Sequence, residues 1–382
     1  MKISLPDAQG RFSDYRPSGT PIAAGRLPSD AARVVYSAAH VVADPFAASD
    51  PTGRPAIDWD STMAFRHYLA DLGLGIAEAM DTAQRGMGLD WPGALELIRR
   101  TRQDLPDARV ANGCGTDHLD PGLACGLDDV IRAYIDQVEA IQRMDARLIL
   151  MASRALARVA TRPADYRQVY ARVLSACDRP VILHWLGEMF DPALAGYWGS
   201  SRFEDQLEIA LEVIHDNAAK VEGIKISLLD KHKEVLMRRR LPAGVLMYTG
   251  DDFNYPELIA GDEQGHSHAL LGIFDPLAPA AAHAVGLLGQ GDVAGFRSVL
   301  DPTVPLARLI FRAPTQYYKT GVVFLAWLNG FQSHFIMLNG AQAMRPLPYF
   351  AEVFRLADQA GLLRDPELAV HRMKTLLALY GA

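Results

Sequence analysis

The chain has 382 residues, 49% of them hydrophobic and 22% charged, with a formal net charge of -7. That is ordinary soluble globular composition, long enough for one large barrel-type domain with an extra layer or for two ordinary domains. The acidic balance leaves no basic footprint for nucleic acid, and the apolar stretch at 321–330 is too short to cross a bilayer and reads as a buried helix.

The N-terminal residues show no apolar core of signal-peptide length. Cys114, Cys125 and Cys177 are too few and too scattered for a disulfide framework and lack paired metal-ligand spacing, which fits a reducing, cytoplasmic compartment. Residues 1–30, rich in Pro, Gly, Ser and Asp, read as an irregular lead-in that a hairpin would suit.

Strand-like and helix-like segments then alternate. A strand at 33–39 is followed by a Pro/Asp/Gly loop to about 57 and a helix at 59–72. A weak strand at 75–80 precedes a helix at 91–103, and a strand at 108–113 precedes a long amphipathic helix at 127–143. The pattern continues with strands at 146–152 and 180–185, each followed by a helix, at 163–177 and 203–219. The strand at 221–227 and the one within 243–252 are separated by a short helix at 232–239, and a helix at 256–260 leads to the last strand at 268–274. From about 277 onward the pattern is helical throughout. Eight strands with helices between them imply a parallel sheet that closes most simply as a (β/α)8 TIM barrel. The expected organisation is thus α/β, with a lead-in at 1–30, the barrel at 31–290 and a C-terminal helical appendage at 291–382.

In a closed βα barrel the site lies where the strands end. Those ends carry Ser37 to His40, Asp81 and Thr82, Asn112 to Thr116, Ala152 to Arg154, His184 and Trp185, Lys225 to Ser227, Thr249 to Asp252, and Phe274 and Asp275. Lys225 is the residue that demands an explanation, because it stands inside the apolar run Val221 to Ser227. A buried ammonium must be paired or lose its proton, and the neutral amine is a nucleophile toward carbonyls. The alternative is a lysine that snorkels from a strand end to solvent. His184, Ser227 and Thr249 offer imidazole and hydroxyl groups that shuttle protons beside such an amine.

The same ends admit a second chemistry, a divalent metal held by His40, His184, Asp251 and Asp252. It is the weaker pattern, since there is no His-x-His on the first strand and no His-Glu-x-x-His. The glycine-bearing turns at 113–115 and 249–252 either bring backbone N–H groups to an anionic substrate or are plain tight turns. No G-x-G-x-x-G lies between a strand and a helix, which disfavours a dinucleotide.

Taken together, several segments resemble the class I aldolase family of dihydrodipicolinate synthase and N-acetylneuraminate lyase. Glu222-Gly-Ile-Lys-Ile-Ser227 is similar to the family's Schiff-base strand, Tyr248-Thr-Gly-Asp-Asp252 to the turn after its seventh strand, and Ala111-Asn-Gly-Cys-Gly115 to the turn after its third. Pro180-Val-Ile-Leu-His184 resembles the fifth strand, and Tyr317-Tyr-Lys-Thr-Gly321 and Met344-Arg-Pro-Leu-Pro348 resemble parts of the helical tail. The resemblance implies that Lys225 forms the imine and that His184 stands where the family has a proton-shuttling tyrosine. It also places Asp81-Thr-Ala-Gln-Arg85 where the family holds a 2-keto acid's carboxylate. Thr82 persists there as a hydroxyl donor, but Asp81 would repel a carboxylate unless it faces away, which puts a pyruvate donor in question. The loop between His184 and Lys225 is longer than in the family, and its Tyr197-Trp198 insert either caps the site or packs on the surface.

The reading favoured by the residues and the resemblance is a Schiff-base lyase, aldolase or dehydratase acting on a small sugar-derived keto acid or keto sugar. Lys225 would form the imine and His184 would act as general acid/base. Ser227 and Thr249 would position water or substrate hydroxyls, and Thr82, Asn112 and Asp251 would bind polar groups. No cofactor or metal is required, and the resemblance implies a homo-oligomer, dimer or tetramer. The alternatives are a metal-dependent sugar isomerase or epimerase, and a barrel that has lost catalysis and binds a metabolite.

Overall fold

The computed structural model describes residues 2–48, 50–124 and 126–382, so that Cys125 lies outside the described residues. The lead-in contains an antiparallel hairpin, β1 (Ile3–Pro6) and β2 (Phe12–Tyr15). The barrel strands follow as β3 (Val35–Ala38), β4 (Gly75–Glu78), β5 (Val110–Cys114), β6 (Arg147–Met151), β7 (Val181–Leu186), β8 (Val221–Ser227), β9 (Leu246–Thr249) and β10 (His268–Leu271). They pair in parallel in chain order, and β10 closes on β3.

Helices α1 (Trp59–Asp71), α2 (Trp91–Asp104), α3 (Leu127–Gln142), α4 (Arg154–Val159), α5 (Pro163–Ser175), α6 (Phe203–Asp216), α7 (Lys231–Arg238) and α8 (Tyr255–Ala260) run between the strands. Three of them, α1, α2 and α7, begin at an aspartate whose carboxylate caps the first turn. Asp58 accepts from Ser61 N, Asp90 from Gly93 N and Asp230 from His232 N, each satisfying an otherwise orphaned backbone donor. The short α4 is absent from the sequence-based expectation. Its six residues give no readable periodicity, and its N-cap is Ser153, which accepts from Leu156 N. Beyond the barrel come α9 (Ala278–Gly289), α10 (Val293–Leu300), α11 (Val304–Ile310), α12 (Tyr318–Leu328), α13 (Leu347–Gln359) and α14 (Pro366–Leu379).

Apolar residues form three main layers. Tyr36, Ala77, Ile149, Ile182, Tyr248 and Leu270 fill the barrel interior. Leu183, Trp185, Ile224 and Ile226 pack outward beneath α3, α5 and α6. The third cluster runs without a break from Ile3 and Val35 through Ala281 and Phe324 to Leu377, so the appended helices share one core with β3, β4 and β10. The lead-in is fastened to that layer by Asp358 on α13, which accepts from Tyr15 OH at 2.7 Å and from the backbone N–H groups of Ser18 and Gly19. The backbone passes so close that a Cβ on Gly19 would lie 1.7 Å from Asp358 O.

Candidate active site

Alternation along the strands decides which side chains enter the barrel. Ile182 and Tyr248 belong to the interior cluster, whereas Leu183, Trp185, Ile224 and Ile226 face the helices. His184, Lys225 and Ser227 therefore point inward, and His184 pairs with Lys225 in the β7–β8 register. Gly250 just after β9 makes room for them. A Cβ there would lie 2.3 Å from Ser227 Oγ and 2.8 Å from Lys225 Cε.

Lys225 is 5% exposed and, among the described residues, enters no ion pair within 4.0 Å. Burial lowers its pKa from the usual 10.5, opposed by the charges of Asp81 and Asp252. Those two carboxyls are held in different states. Burial opposes ionisation of Asp81, yet the charges of Lys319 and Lys225 carry its pKa below the usual 3.8, so it is a carboxylate at neutral pH. Asp252 is pushed by burial up to about 8 even though Oδ1 accepts from Ile273 N. His184 is driven well below 6.5 by burial and by the Lys225 charge, which leaves a neutral imidazole. Its Nε2 lies 3.1 Å from Ser227 Oγ, and its Nδ1 is buried without a hydrogen-bond partner.

A further pair of groups comes from the appended helices. Tyr318 OH donates to Asp81 Oδ2 at 2.7 Å and lies 2.7 Å from Thr82 Oγ1. Its ring stacks on Phe311 with centroids 4.3 Å apart. Lys319, 4% exposed, donates to Gln316 O at 3.1 Å and places its ammonium 4.4 Å from the Tyr318 ring centroid. Burial lowers its pKa to about 8. The turn entering α12 is itself anchored by Arg345, whose guanidinium donates to the carbonyls of Arg312 and Pro314. Asp81, Met151, Arg154, His184, Phe190 and Lys319 are among the walls of a cavity of about 270 Å³ at this end of the barrel. Lys225 is not itself among those walls and stands beside them as the register partner of His184.

The structure thus brings together Lys225, His184, Ser227 and Thr82 from the sequence-predicted set, and it moves the other three away. Thr249 faces the helix layer, where its hydroxyl meets Glu234 on α7 and accepts from Asp251 N at 3.1 Å. The reason is alternation, since its neighbour Tyr248 fills the interior. Asp251 is a loop cap, accepting from Phe253 N and from the backbone and side chain of Asn254. Asn112 donates to Arg147 O at the start of β6 and borders a cavity of about 450 Å³ at the opposite mouth of the barrel.

The structure bears on three alternatives that the sequence left open. The amides of Gly115 and Gly250 are not free, because Gly115 N donates to Gln137 and Gly250 N to Ile226 O. Tyr197 and Trp198 do not cap the site. They pack behind the sheet against Tyr166, Tyr170 and Trp185, and it is Phe190, Asp191 and Leu194 of the same loop that border the cavity. The proposed metal ligands do not converge. His40 Nδ1 is tied to Asp275 at 2.7 Å, and among the described residues no three His, Cys, Asp or Glu side chains are grouped to hold an ion.

Asp81, Tyr318 and Lys319 are the groups of the candidate site that sequence reasoning undervalued. Tyr318 and Lys319 lie about as far from Asp81 in sequence as the barrel is long, and only closure of the barrel onto the appended helices reveals their contact.

The eight-stranded parallel barrel with helices appended after it matches the fold of solved dihydrodipicolinate synthases. The chain aligns with the crystal structure of that synthase from Aquifex aeolicus at a TM-score of 0.65 and 12% identity, over 87% of this chain and 100% of the other. The synthase from Thermotoga maritima gives a TM-score of 0.64 at 15% identity, over 87% and 99%. The enzyme from Acinetobacter baumannii, crystallised with pyruvate, gives 0.63 at 15%, over 86% and 99%. At such identities the likeness establishes the fold. No match was found among curated proteins. Residues 3–382 match the model of one family, described as "Protein of unknown function (DUF993)", and the chain belongs to that family.

Proposed function

We propose that the protein is a class I lyase or aldolase in which Lys225 forms a Schiff base with a small carbonyl substrate. The observation that carries this reading is Lys225 itself, a buried amine with no ion pair within 4.0 Å among the described residues, whose ammonium form is disfavoured by burial. Its neutral Nζ attacks the carbonyl carbon, and the oxygen leaves as water after protonation. The resulting iminium accepts the electron pair of a breaking C–C or C–H bond and becomes an enamine. Protonation of the enamine carbon and hydrolysis return Lys225 to its free state.

His184 and Ser227 sit beside the amine as a neutral hydrogen-bonded pair, suited to hold the oxygen that becomes water and to pass it a proton. Lys319 is less suited to be the nucleophile. Burial lowers its pKa too, to about 8, but its nitrogen is engaged by Gln316 O and by the Tyr318 ring, whereas that of Lys225 is not. The dihydrodipicolinate synthase from Acinetobacter baumannii was crystallised with pyruvate, which supports a carbonyl substrate of similar size here.

The test is intact-mass measurement after sodium borohydride reduction with a panel of keto sugars and 2-keto acids. A reduced adduct in the wild type that is absent from Lys225→Ala supports the reading, and the mass increment identifies the carbonyl partner. No adduct with any carbonyl of the panel would overturn it.

A further inference from the structure

Three carboxylates border the cavity; Asp117 and Asp191 are paired with Arg85 and Arg154, whereas Asp81 is held by a hydroxyl. Asp81 borders the cavity and supplies the largest opposing charge felt by Lys225. Its Oδ2 is held by the Tyr318 hydroxyl at 2.7 Å, and Tyr318 is in turn hydrogen-bonded to Thr82 at 2.7 Å. No salt bridge within 4.0 Å ties Asp81 to either lysine, so Oδ1 is left to meet a ligand. Tyr318 does not border the cavity, being fully buried between Phe311 and Phe190. A hydroxyl that orients one oxygen of a carboxylate leaves the other as a directed acceptor, the arrangement of a positioned general base.

We propose that Asp81 is the catalytic base of this site and that the substrate is a hydroxy-ketone of the keto-sugar type rather than a 2-keto acid. The inference rests on imine formation at Lys225. On the iminium, Asp81 Oδ1 takes a proton from the carbon next to the imine carbon, the C–H electron pair forms the enamine double bond, and the iminium π pair moves to nitrogen. In the cleavage direction Asp81 takes the proton of the hydroxyl two carbons from the imine carbon. The bond between the carbinol carbon and the carbon next to the imine carbon breaks, the O–H pair forms the C=O of the departing carbonyl product, the released C–C pair forms the enamine, and the protonated Asp81 then returns its proton to the enamine carbon. Each step conserves atoms and charge without an added oxidant or metal. The acceptor needs a donor, which a hydroxyl supplies, whereas a carboxylate beside the carbonyl would face a second carboxylate. Tyr318 is a positioning residue, acting through Asp81.

The experiment compares dihydroxyacetone, hydroxyacetone and pyruvate in two assays on wild type, Asp81→Asn, Tyr318→Phe and Lys225→Ala, with thermal unfolding to confirm that each variant folds. Borohydride trapping reads imine formation, and deuterium uptake from D2O at the carbon next to the carbonyl, followed by proton NMR, reads the base. The wild type is expected to trap the hydroxy-ketones at least about tenfold faster than pyruvate. Asp81→Asn should keep trapping within a few-fold and lose deuterium uptake by about 100-fold or more, the lower range for a positioned acid/base. Tyr318→Phe should lose less and shift the acid limb of the exchange profile upward, because Asp81 loses a donor that lowers its pKa. Trapping with unchanged exchange in Asp81→Asn, or equal trapping of pyruvate, would overturn the inference and leave imine formation standing. Absence of trapping in the wild type would instead remove the imine reading beneath it.

Discussion

Two buried lysines lie near one half-buried carboxylate, and their surroundings distinguish them. Lys319 has a carbonyl and an aromatic face to hold its charge, and Lys225 has neither. Trapping at Lys225 is therefore expected to rise with pH and level off below 10.5, since the amine must be neutral to attack and its pKa is lowered by burial. A rate still climbing beyond 10.5 would mean an ordinary solvated lysine. His184 is expected to contribute no inflection near 6.5, because burial and Lys225 keep its pKa well below that value. His184→Ala should slow turnover by about tenfold to 100-fold through lost proton transfer and orientation. Activity close to wild type in that variant would remove His184 from the chemistry.

Strand alternation and turn geometry explain which parts of the site were legible before the structure. The alternation of apolar runs with amphipathic helices is visible in the sequence and predicts the barrel, and the strand ends predict that Lys225 and His184 share one mouth. Thr249 and Asn112 were misplaced because period-2 alternation does not by itself say which set of residues faces inward, and short β9 offers few positions to decide it. Asp251 and Asp252 are adjacent, but the turn uses one as its cap and turns the other toward Ile273 N. Only coordinates separate them. The same turn carries a prediction at Gly250. Gly250→Ala would press a methyl group against Ser227 Oγ and Lys225 Cε, so borohydride trapping should fall by more than global stability does, checked by trapping rate alongside thermal unfolding.

The molecule as a whole is one core wrapped by its own termini, and the site depends on that wrapping because Tyr318 and Lys319 come from the helices after the barrel. The Asp358 clasp on the lead-in is a close backbone fit, so Gly19→Ala should destabilise the fold by about 1–3 kcal/mol, the range for overpacking, read as a lower Tm. A buried acid sets a pH dependence. Glu234 on α7 accepts from Ser267 Oγ at 2.6 Å, and burial raises its pKa from 4.5 to about 8. A folded-state pKa above the unfolded one means stability that is full below 4.5 and is lost as pH rises toward about 8. Glu234→Gln, which cannot ionise, is expected to flatten the decline in Tm between those limits, and an unchanged slope would show that Glu234 does not govern it.

The central claim is that of the two buried lysines Lys225 alone carries the chemistry. Peptide-level mass spectrometry of the borohydride-reduced protein, with a hydroxy-ketone as carbonyl, decides it. The account predicts the reduced adduct on the peptide containing Lys225 and none on the peptide containing Lys319. An adduct confined to Lys319, or scattered over surface lysines with Lys225 unmodified, would contradict it.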